Sequence, residues 1–290
     1  MNQARAHHPT GQKLKHPPEV LKRVRRTGDY ARRRQPKYGV YPNFYTFAHR
    51  LVELVFRRTC RWDVYGLDNL PMASVPHISA FGHEYVERLP LPVVFAVKHV
   101  SIRDIFVVGL SIRRVVGWMV KSPLGQIYGF SRVLIWLSGV FVFRDKDIDQ
   151  IATGKQFRYG LLGDDALPHL HLMLDDGYSV MVFAEGTRDD PLAVKDIKTG
   201  PLRLAINANV KIVPVGLAGT GKRKNGALVK RRFLRRRCVA VFGGPIDPTD
   251  FSMTPARNPW DAINLPALRS HVRERMELCT HEAHQKLLAL

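Results

Sequence analysis

The sequence predicts an α/β fold in which a central, mainly parallel sheet is flanked by helices. The chain has 290 residues, of which 45% are hydrophobic, and this is enough to bury a large core. Short, continuous apolar runs recur along it, as is typical of strands buried on both faces of a parallel sheet. Helical segments fill the gaps between these runs, and such alternation indicates βαβ units.

The first predicted element is an N-terminal amphipathic helix at residues 41–62. Its apolar residues recur at helical spacing and form one stripe, which consists of Phe44, Phe47, Leu51, Leu54 and Val55. His49 and the neighbouring charged residues lie mostly off this stripe. Two alternatives remain open, because the stripe could pack on the protein's own core or lie in a membrane interface.

The elements that follow alternate regularly along the chain. Strands are predicted at residues 63–65, 93–97, 115–120, 140–143, 179–183, 212–217 and 238–242. Helices are predicted at about residues 103–111, 124–137, 147–161, 166–176 and 200–208. These elements define an α/β domain at residues 63–250. A C-terminal helical extension at residues 251–290 contains a further predicted helix from residue 265 onward.

The net charge of +20 is concentrated in two regions. Residues 1–40 hold eleven Lys and Arg, and with Pro17 and Pro18 they are predicted to form a disordered basic arm. Residues 222–237 hold nine Lys and Arg and no acidic residue. Such patches attract polyanions such as anionic lipid surfaces or nucleic acid. The alternative is that both regions are simply solvated.

Several classes of partner and location find no support in the sequence. Nucleic-acid binding is not favoured, because an RNP sequence, zinc-finger spacing and a heptad zipper are all missing. The polar first forty residues predict no secretory signal peptide. The longest apolar run, residues 133–143, is too short to span a bilayer, so no transmembrane helix is expected. The three cysteines lie far apart, which is simplest to explain by a reducing compartment.

His99 and Asp104, in the run HVSIRD, directly follow the apolar strand predicted at residues 93–97. A helical turn after His99 would bring Asp104 back toward the imidazole, and Ser101 could cap that helix. A neutral imidazole held by a carboxylate can take the proton of a hydroxyl nucleophile. Taken alone, the pair is also compatible with incidental polarity in a loop.

Two more polar clusters follow predicted strands. Arg144 comes after GVFVF, and the run Glu185, Gly186, Thr187 and Arg188 comes after the strand at residues 179–183. Guanidinium groups bind phosphate bidentately, and a glycine lets the backbone approach a ligand. Because the carboxyl ends of parallel strands meet at one edge of a sheet, these clusters and His99 predict a single site. For Arg144 the alternative is an ordinary surface ion pair.

Two other kinds of site are not favoured by the sequence. Residues 216–222 spell G-x-x-x-x-G-K, as in a phosphate-binding P-loop, but Arg223 stands where Ser or Thr should reach magnesium. No convincing helix follows to hold a phosphate at its N-terminus. A metal site is not predicted either, since His77 and His83 lack a familiar set of Cys or carboxylate ligands.

Four blocks in this order resemble the glycerolipid acyltransferase family of the lysophosphatidic-acid acyltransferase, PlsC-like type. HVSIRD is similar to the first block, H-x-x-x-x-D, and GVFVFR at 139–144 is similar to the second. FAEGTR at 183–188 is similar to the third, and IVPVG at 212–216 to the fourth. The likeness covers about residues 45–250. Lys98 departs from it, because the family usually has Asn there, and Ala184 replaces the usual Pro.

The resemblance implies a glycerol-3-phosphate acyltransferase-like fold and an O-acyltransferase activity. A fatty acyl group would pass from acyl-CoA or acyl-ACP to a lysophospholipid hydroxyl, with lysophosphatidic acid as the first choice and phosphatidic acid as the product. His99 would be the general base and Asp104 would orient it. The acceptor headgroup would be held by Arg144, Glu185, Gly186, Thr187 and Arg188, and Pro214 would shape the acyl pocket. The thioester is a substrate, so no cofactor or metal is expected.

The implied partners are an acyl thioester donor, a lysophospholipid acceptor and an anionic membrane surface. The basic regions and the amphipathic helix favour a peripheral enzyme on the cytoplasmic face of a membrane. Glycerol-3-phosphate or a glycolipid hydroxyl remain alternative acceptors. A protein of another class, a non-catalytic basic protein that binds membrane or nucleic acid, is the competing hypothesis.

Overall fold

The computed structural model describes most of the chain and allows the predicted elements to be located. The described residues are 19–24, 26, 42–70, 76–78, 84–86, 92–112, 115–127, 129–155, 157, 159–188, 190–221, 236–253 and 262–290. Most of the predicted basic arm and of the second basic region therefore lie outside the described residues.

Helices and strands alternate from residue 42 onward. The helices are α1 (Pro42–Thr59), α2 (Arg103–Ile112), α3 (Phe130–Trp136), α4 (Asp145–Ala152), α5 (Gly163–Asp175), α6 (Gly200–Ala208) and α7 (Leu265–Ala289). The strands are β1 (Cys60–Tyr65), β2 (Pro76–Ile78), β3 (Glu84–Val86), β4 (Val93–Val97), β5 (Val116–Lys121), β6 (Gly139–Val142), β7 (Ser179–Phe183), β8 (Lys211–Ala218) and β9 (Arg236–Phe242).

Seven of the strands form one sheet in the order β1-β9-β8-β4-β7-β5-β6. Every neighbouring pair is parallel except β8 and β9, which are antiparallel. Strands β2 and β3 form a separate antiparallel pair. The predicted α/β fold with a mainly parallel, mixed sheet is therefore confirmed, and the carboxyl ends of β4, β5, β6, β7 and β8 meet at one edge.

Three predicted helix boundaries are wrong, each for a local reason. The helix predicted at 147–161 ends at Ala152, and Gly154 then adopts a left-handed φ of 95°. The helix predicted at 124–137 is split into a 3-10 turn at Ser122–Gln126 and helix α3, with Gly129 at a φ of 78° between them. Helix α1 ends at Thr59 because β1 already begins at the next residue.

The core lies on both faces of the sheet. On one face, strand residues such as Phe95, Val97 and Val213 pack against α2 and Phe56 of α1. On the other face, residues such as Val94 and Ala96 pack against α5, α6 and α7. This alternation follows from the period of two in a strand, which sends successive side chains to opposite faces. We call these the α2 face and the α7 face of the sheet.

Helix α1 buries a different face from the predicted stripe. Its buried residues are Tyr45, Ala48, His49 and Phe56. Most of the predicted stripe is instead solvent-exposed, at 49% for Phe47, 52% for Leu51, 56% for Leu54 and 57% for Val55. The alternative that this stripe packs on the core is therefore wrong. We call these four residues the exposed stripe. Among the described residues, no helix has both the length and the apolar character needed to cross a bilayer.

One piece of the basic arm, predicted to be disordered, is ordered against the body of the protein. Residues 19–24 are helical, and Val24 is fully buried. It packs with Phe143, Ile148 and Phe157, just beyond the end of β6. The disorder prediction is thus wrong for this short segment, because its two valines supply an apolar face within the charged run.

Helix α7, in the predicted C-terminal extension, packs directly on the sheet. Leu268, Val272 and Met276 are fully buried in the core of the α7 face. Gly216 of β8 lies against the α7 backbone so closely that a Cβ there would stand 2.2 Å from the carbonyl carbon of Cys279. The extension is therefore part of the α/β core.

We expect Gly216→Ala to destabilise the protein by about 1–3 kcal/mol, the usual cost of overpacking a core. The added methyl meets backbone atoms of α7, which can yield only if the whole helix moves. Gly109→Ala in α2 is the matched control, because its Cβ meets nothing within 4 Å and alanine favours the helix. Denaturant unfolding of both variants measures the difference, and equal stability would contradict the expectation.

Candidate active site

The loop after β4 brings His99 and Asp104 together, as the sequence predicted. The Nδ1 atom of His99 lies 2.9 Å from Oδ2 of Asp104, which is fully buried in the first turn of α2. The backbone N–H groups of Val100 and Ser101 donate to the same oxygen, at 2.5 and 2.7 Å. The Ser101 hydroxyl accepts from the N–H of Arg103, the first residue of α2, at 3.0 Å. The carboxylate therefore fixes both the loop and the imidazole.

This geometry sets the role that the imidazole can play. A carboxylate accepts hydrogen bonds, so Nδ1 carries a proton, and in the neutral form of the imidazole Nε2 keeps a lone pair. The ring of Phe183 stacks on the imidazole at 4.0 Å between centroids, with 25° between the planes. The side chain of His99 is 14% exposed. An imidazole so oriented, with one basic nitrogen, is suited to general-base chemistry.

Glu185 lies beside this pair, but its carboxylate points into the protein. The side chain is fully buried and pairs with the equally buried Lys98, at 2.7 Å between Nζ and Oε1. The same Oε1 accepts from the N–H of Lys195, and Oε2 accepts from the N–H of His99 at 3.2 Å. The carboxylate predicted to hold an acceptor headgroup thus bonds to protein groups on both oxygens.

The rest of the third block turns outward. Gly186 has a φ of 70°, a conformation that glycine adopts without strain, and its N–H donates to the carbonyl of Phe183. The turn leaves Thr187 and Arg188 exposed. Strand β7 is the direct neighbour of β4, so the turn that leads to Arg188 starts beside the end of the His99 strand.

Arg144 is farther from His99 and is already engaged. Strand β6 lies three positions from β4, which is about 14 Å at the usual strand spacing. The guanidinium donates twice to Asp147, at 2.9 Å each, and this hydrogen bonding raises the pKa of Arg144. Burial alone would raise the pKa of Asp147, but the hydrogen bonds and charge of Arg144 and the charge of Lys121 lower it overall. Arg144 thus forms the surface ion pair considered as its alternative, and its contact to a phosphate stays a prediction.

Pro214 does not meet the other predicted site residues. It is buried in the middle of β8 on the α7 face, where its ring lies close to Gly243 and its carbonyl oxygen is 3.9 Å from Sγ of Cys279. His99 and Phe183 lie at the end of the α2 face. Side chains alternate along a strand, so Pro214 faces away from His99, and its contribution to an acyl pocket stays a prediction.

Sequence reasoning missed two residues of the site. The sequence identifies Phe183 only as the end of a strand and the start of the run FAEGTR, although its ring stacks on His99. The sequence marks Lys98 as a departure from the family but does not reveal that it is the buried partner of Glu185. The departure itself was the available signal, since a lysine at the end of a core strand requires a partner.

Comparisons with known proteins identify a family and similar sequences. The Acyltransferase family model matches residues 63–218, more than half of the chain. A probable 1-acyl-sn-glycerol-3-phosphate acyltransferase of Mycoplasma genitalium is 30% identical over 124 residues, 41% of each chain. One of Mycoplasma pneumoniae is 30% identical over 101 residues, 32% of this chain and 38% of that protein. The matched segments thus span about two fifths of the length of these relatives.

A solved structure shares the fold. The crystal structure of the 1-acyl-sn-glycerophosphate acyltransferase PlsC from Thermotoga maritima matches with a TM-score of 0.51 at 22% identity. The match covers 82% of this chain and 77% of that one.

Proposed function

The chain belongs to the Acyltransferase family, and we propose that it transfers a fatty acyl group from acyl-CoA or acyl-ACP to the hydroxyl of a lysophospholipid. The observation that carries the proposal is the His99–Asp104 pair, which follows the central strand β4 and leaves Nε2 of the imidazole free of the carboxylate. The two relatives described as probable 1-acyl-sn-glycerol-3-phosphate acyltransferases favour lysophosphatidic acid as the acceptor.

In the proposed reaction, Nε2 of His99 takes the proton of the acceptor hydroxyl as its oxygen attacks the thioester carbonyl. Asp104 stabilises the imidazolium through Nδ1. The carbon–sulfur bond then breaks, and the thiolate leaves with the proton that the imidazolium returns. The products are an ester and a thiol, and no acyl group is attached to the enzyme.

Exposed cations near the site support an anionic acceptor. Arg188 lies in the loop that follows β7, and the side chain of Lys198, from the loop before α6, lies beside Gly186. Lys121 ends β5, the other neighbour of β7, and is exposed. A phosphate between these strand ends would meet several positive charges within reach of the His99 loop.

The exposed stripe of α1 supports a peripheral membrane location on an anionic surface. Four large apolar side chains, each about half exposed or more, stand on one side of a helix that ends in Arg57 and Arg58. Helices with this division lie in the plane of a membrane interface. The acceptor is an amphiphile that resides in such a surface, so enzyme and substrate would meet there.

The proposed function is tested by an acceptor screen with labelled acyl-CoA and acyl-ACP, in which the lipid products are identified by mass spectrometry. Lysophosphatidic acid is expected to give phosphatidic acid. Transfer to glycerol-3-phosphate or to a glycolipid instead would show that this compound, and not lysophosphatidic acid, is the acceptor. If the wild type consumes neither thioester with any of these acceptors, the non-catalytic alternative is favoured.

Arg188→Ala is expected to lower kcat/KM for lysophosphatidic acid about 10- to 100-fold, because a charge-assisted hydrogen bond contributes about 1.5–3 kcal/mol. Transfer to an uncharged monoacylglycerol should change far less, since it has no phosphate. Arg273→Ala, which removes an exposed arginine of α7, is the control. Equal losses with the charged and uncharged acceptors would contradict a phosphate contact by Arg188.

A further inference from the structure

Lys98 is a fully buried lysine at the end of the central strand, directly before His99. Its ammonium group bonds to Oε1 of Glu185 at 2.7 Å and to the carbonyl oxygen of Ala193. Complete burial of a lysine is rare, because the charge loses its hydration and must be matched by a partner. The feature therefore calls for a reason beyond simple packing.

The partner of Lys98 connects three segments of the chain. Glu185 accepts from Lys98 and from the N–H of Lys195 on one oxygen, and from the N–H of His99 on the other. The His99 loop, the turn after β7 and the loop at residues 193–195 thus converge on one buried carboxylate. The position of that carboxylate sets the position of the backbone that carries the imidazole.

A buried ion pair is poor evidence for a contribution to stability. Replacing such a pair by apolar or neutral groups of similar shape is often neutral or stabilising, whereas removing one partner leaves an uncompensated charge. The pair joins the end of the His99 strand to the turn after β7, so its best explanation is that it positions these two segments. An effect on position can be distinguished experimentally from an effect on stability.

We propose that Lys98 is a positioning residue for His99. Its ammonium fixes Glu185, whose second oxygen holds the N–H of His99 and so sets where Nε2 stands relative to the acceptor hydroxyl. The inference rests on the proposed acyl transfer and assigns Glu185 to the support of the base, in place of the predicted contact with the headgroup.

The test compares Lys98→Met with the double variant Lys98→Met/Glu185→Gln. The single variant leaves a buried carboxylate without its cation, so both the melting temperature and kcat are expected to fall. The double variant carries no charge at either position of the pair, and its melting temperature is expected to return to within a few degrees of the wild type. Its kcat is expected to stay at least 10-fold below the wild type, with KM changed less than 3-fold. Recovery of kcat together with the melting temperature would overturn the proposal.

A second readout does not depend on turnover. In protein labelled with ¹⁵N-histidine, the Nδ1–H signal of His99, assigned by its loss in His99→Ala, reports the bond to Asp104. That signal is expected to shift or broaden in the double variant and to remain unchanged in Lys211→Met, an exposed lysine at the opposite end of β8. An unchanged signal in the double variant would overturn the proposal. If the wild type transfers no acyl group, the proposed function is wrong. The spectrum still tests whether Lys98 positions His99, because it does not depend on acyl transfer.

Discussion

Acyl transfer by His99→Ala is expected to be about 10²- to 10⁴-fold slower than by the wild type, the usual contribution of a general base. The variant loses the only ring nitrogen that the His99–Asp104 geometry leaves basic at this strand end. The protein should still fold, because Asp104 keeps its bonds to the backbone of Val100 and Ser101. Release of thiol from a labelled acyl thioester, measured with saturating lysophosphatidic acid, gives the rate.

The chain supplies a matched control for this experiment. His171 and Asp175 form a second pair with the same atoms at the same 2.9 Å, on the surface of α5 and away from the strand ends. His171→Ala should leave the rate unchanged. Asp104→Asn should approach the loss seen for His99→Ala, since the imidazole would lose the carboxylate that holds its tautomer. A His99→Ala enzyme that keeps more than a tenth of the activity would place the base elsewhere.

Membrane binding by Leu51→Asp/Leu54→Asp is expected to be about 100-fold weaker than that of the wild type. Each leucine of the exposed stripe would lose about 1–2 kcal/mol of apolar burial in the lipid, and each new carboxylate adds repulsion from an anionic surface. Co-sedimentation with vesicles that contain phosphatidylglycerol measures the change. Both side chains are more than half exposed, so the fold should be retained.

The double variant Leu172→Asp/Leu278→Asp is the control for this prediction. Both leucines are 53% exposed, close to the values for Leu51 and Leu54, but they lie on α5 and α7. Equal loss of binding in the two double variants would show that added negative charge, and not the exposed stripe, governs the interaction. If the wild type stays bound to the vesicles at high salt, the exposed stripe contributes more to membrane binding than the basic regions do, because salt screens only the electrostatic contribution.

The fold was predictable because its strands are short apolar runs between polar turns. All seven strands of the sheet were predicted close to their observed positions. The central ones, such as β4 and β7, are the clearest, since burial on both faces leaves little room for polar residues. The helix ends were less predictable. The breaks at Gly129 and Gly154 depend on a left-handed φ, and a glycine in a sequence does not reveal whether it adopts one.

The residues of the site were predictable where their position depends only on which strand they follow. Asp104 reaches His99 because the short loop between them folds around the carboxylate, which accepts from the N–H groups of Val100 and Ser101, and α2 begins only at Arg103. Side-chain direction was not predictable in the same way. Glu185 follows the end of β7 but points into the interior, and Pro214 lies in the middle of β8 and faces the α7 side of the sheet. The buried face of helix α1 was not predictable for a related reason. Two of its faces are apolar, and hydropathy does not indicate which one packs on the core.

The exposed stripe and the His99 loop belong to the same α2 face of the sheet, since Phe56 of α1 and Phe183 both pack into its core. An enzyme seated on a leaflet through that stripe would draw its acceptor by lateral diffusion in two dimensions. The reaction rate of the bound enzyme would then depend on the mole fraction of acceptor among the lipids. The total lipid concentration would determine only the fraction of the protein that is bound to the membrane. Product would likewise pass into the leaflet without a transfer through water.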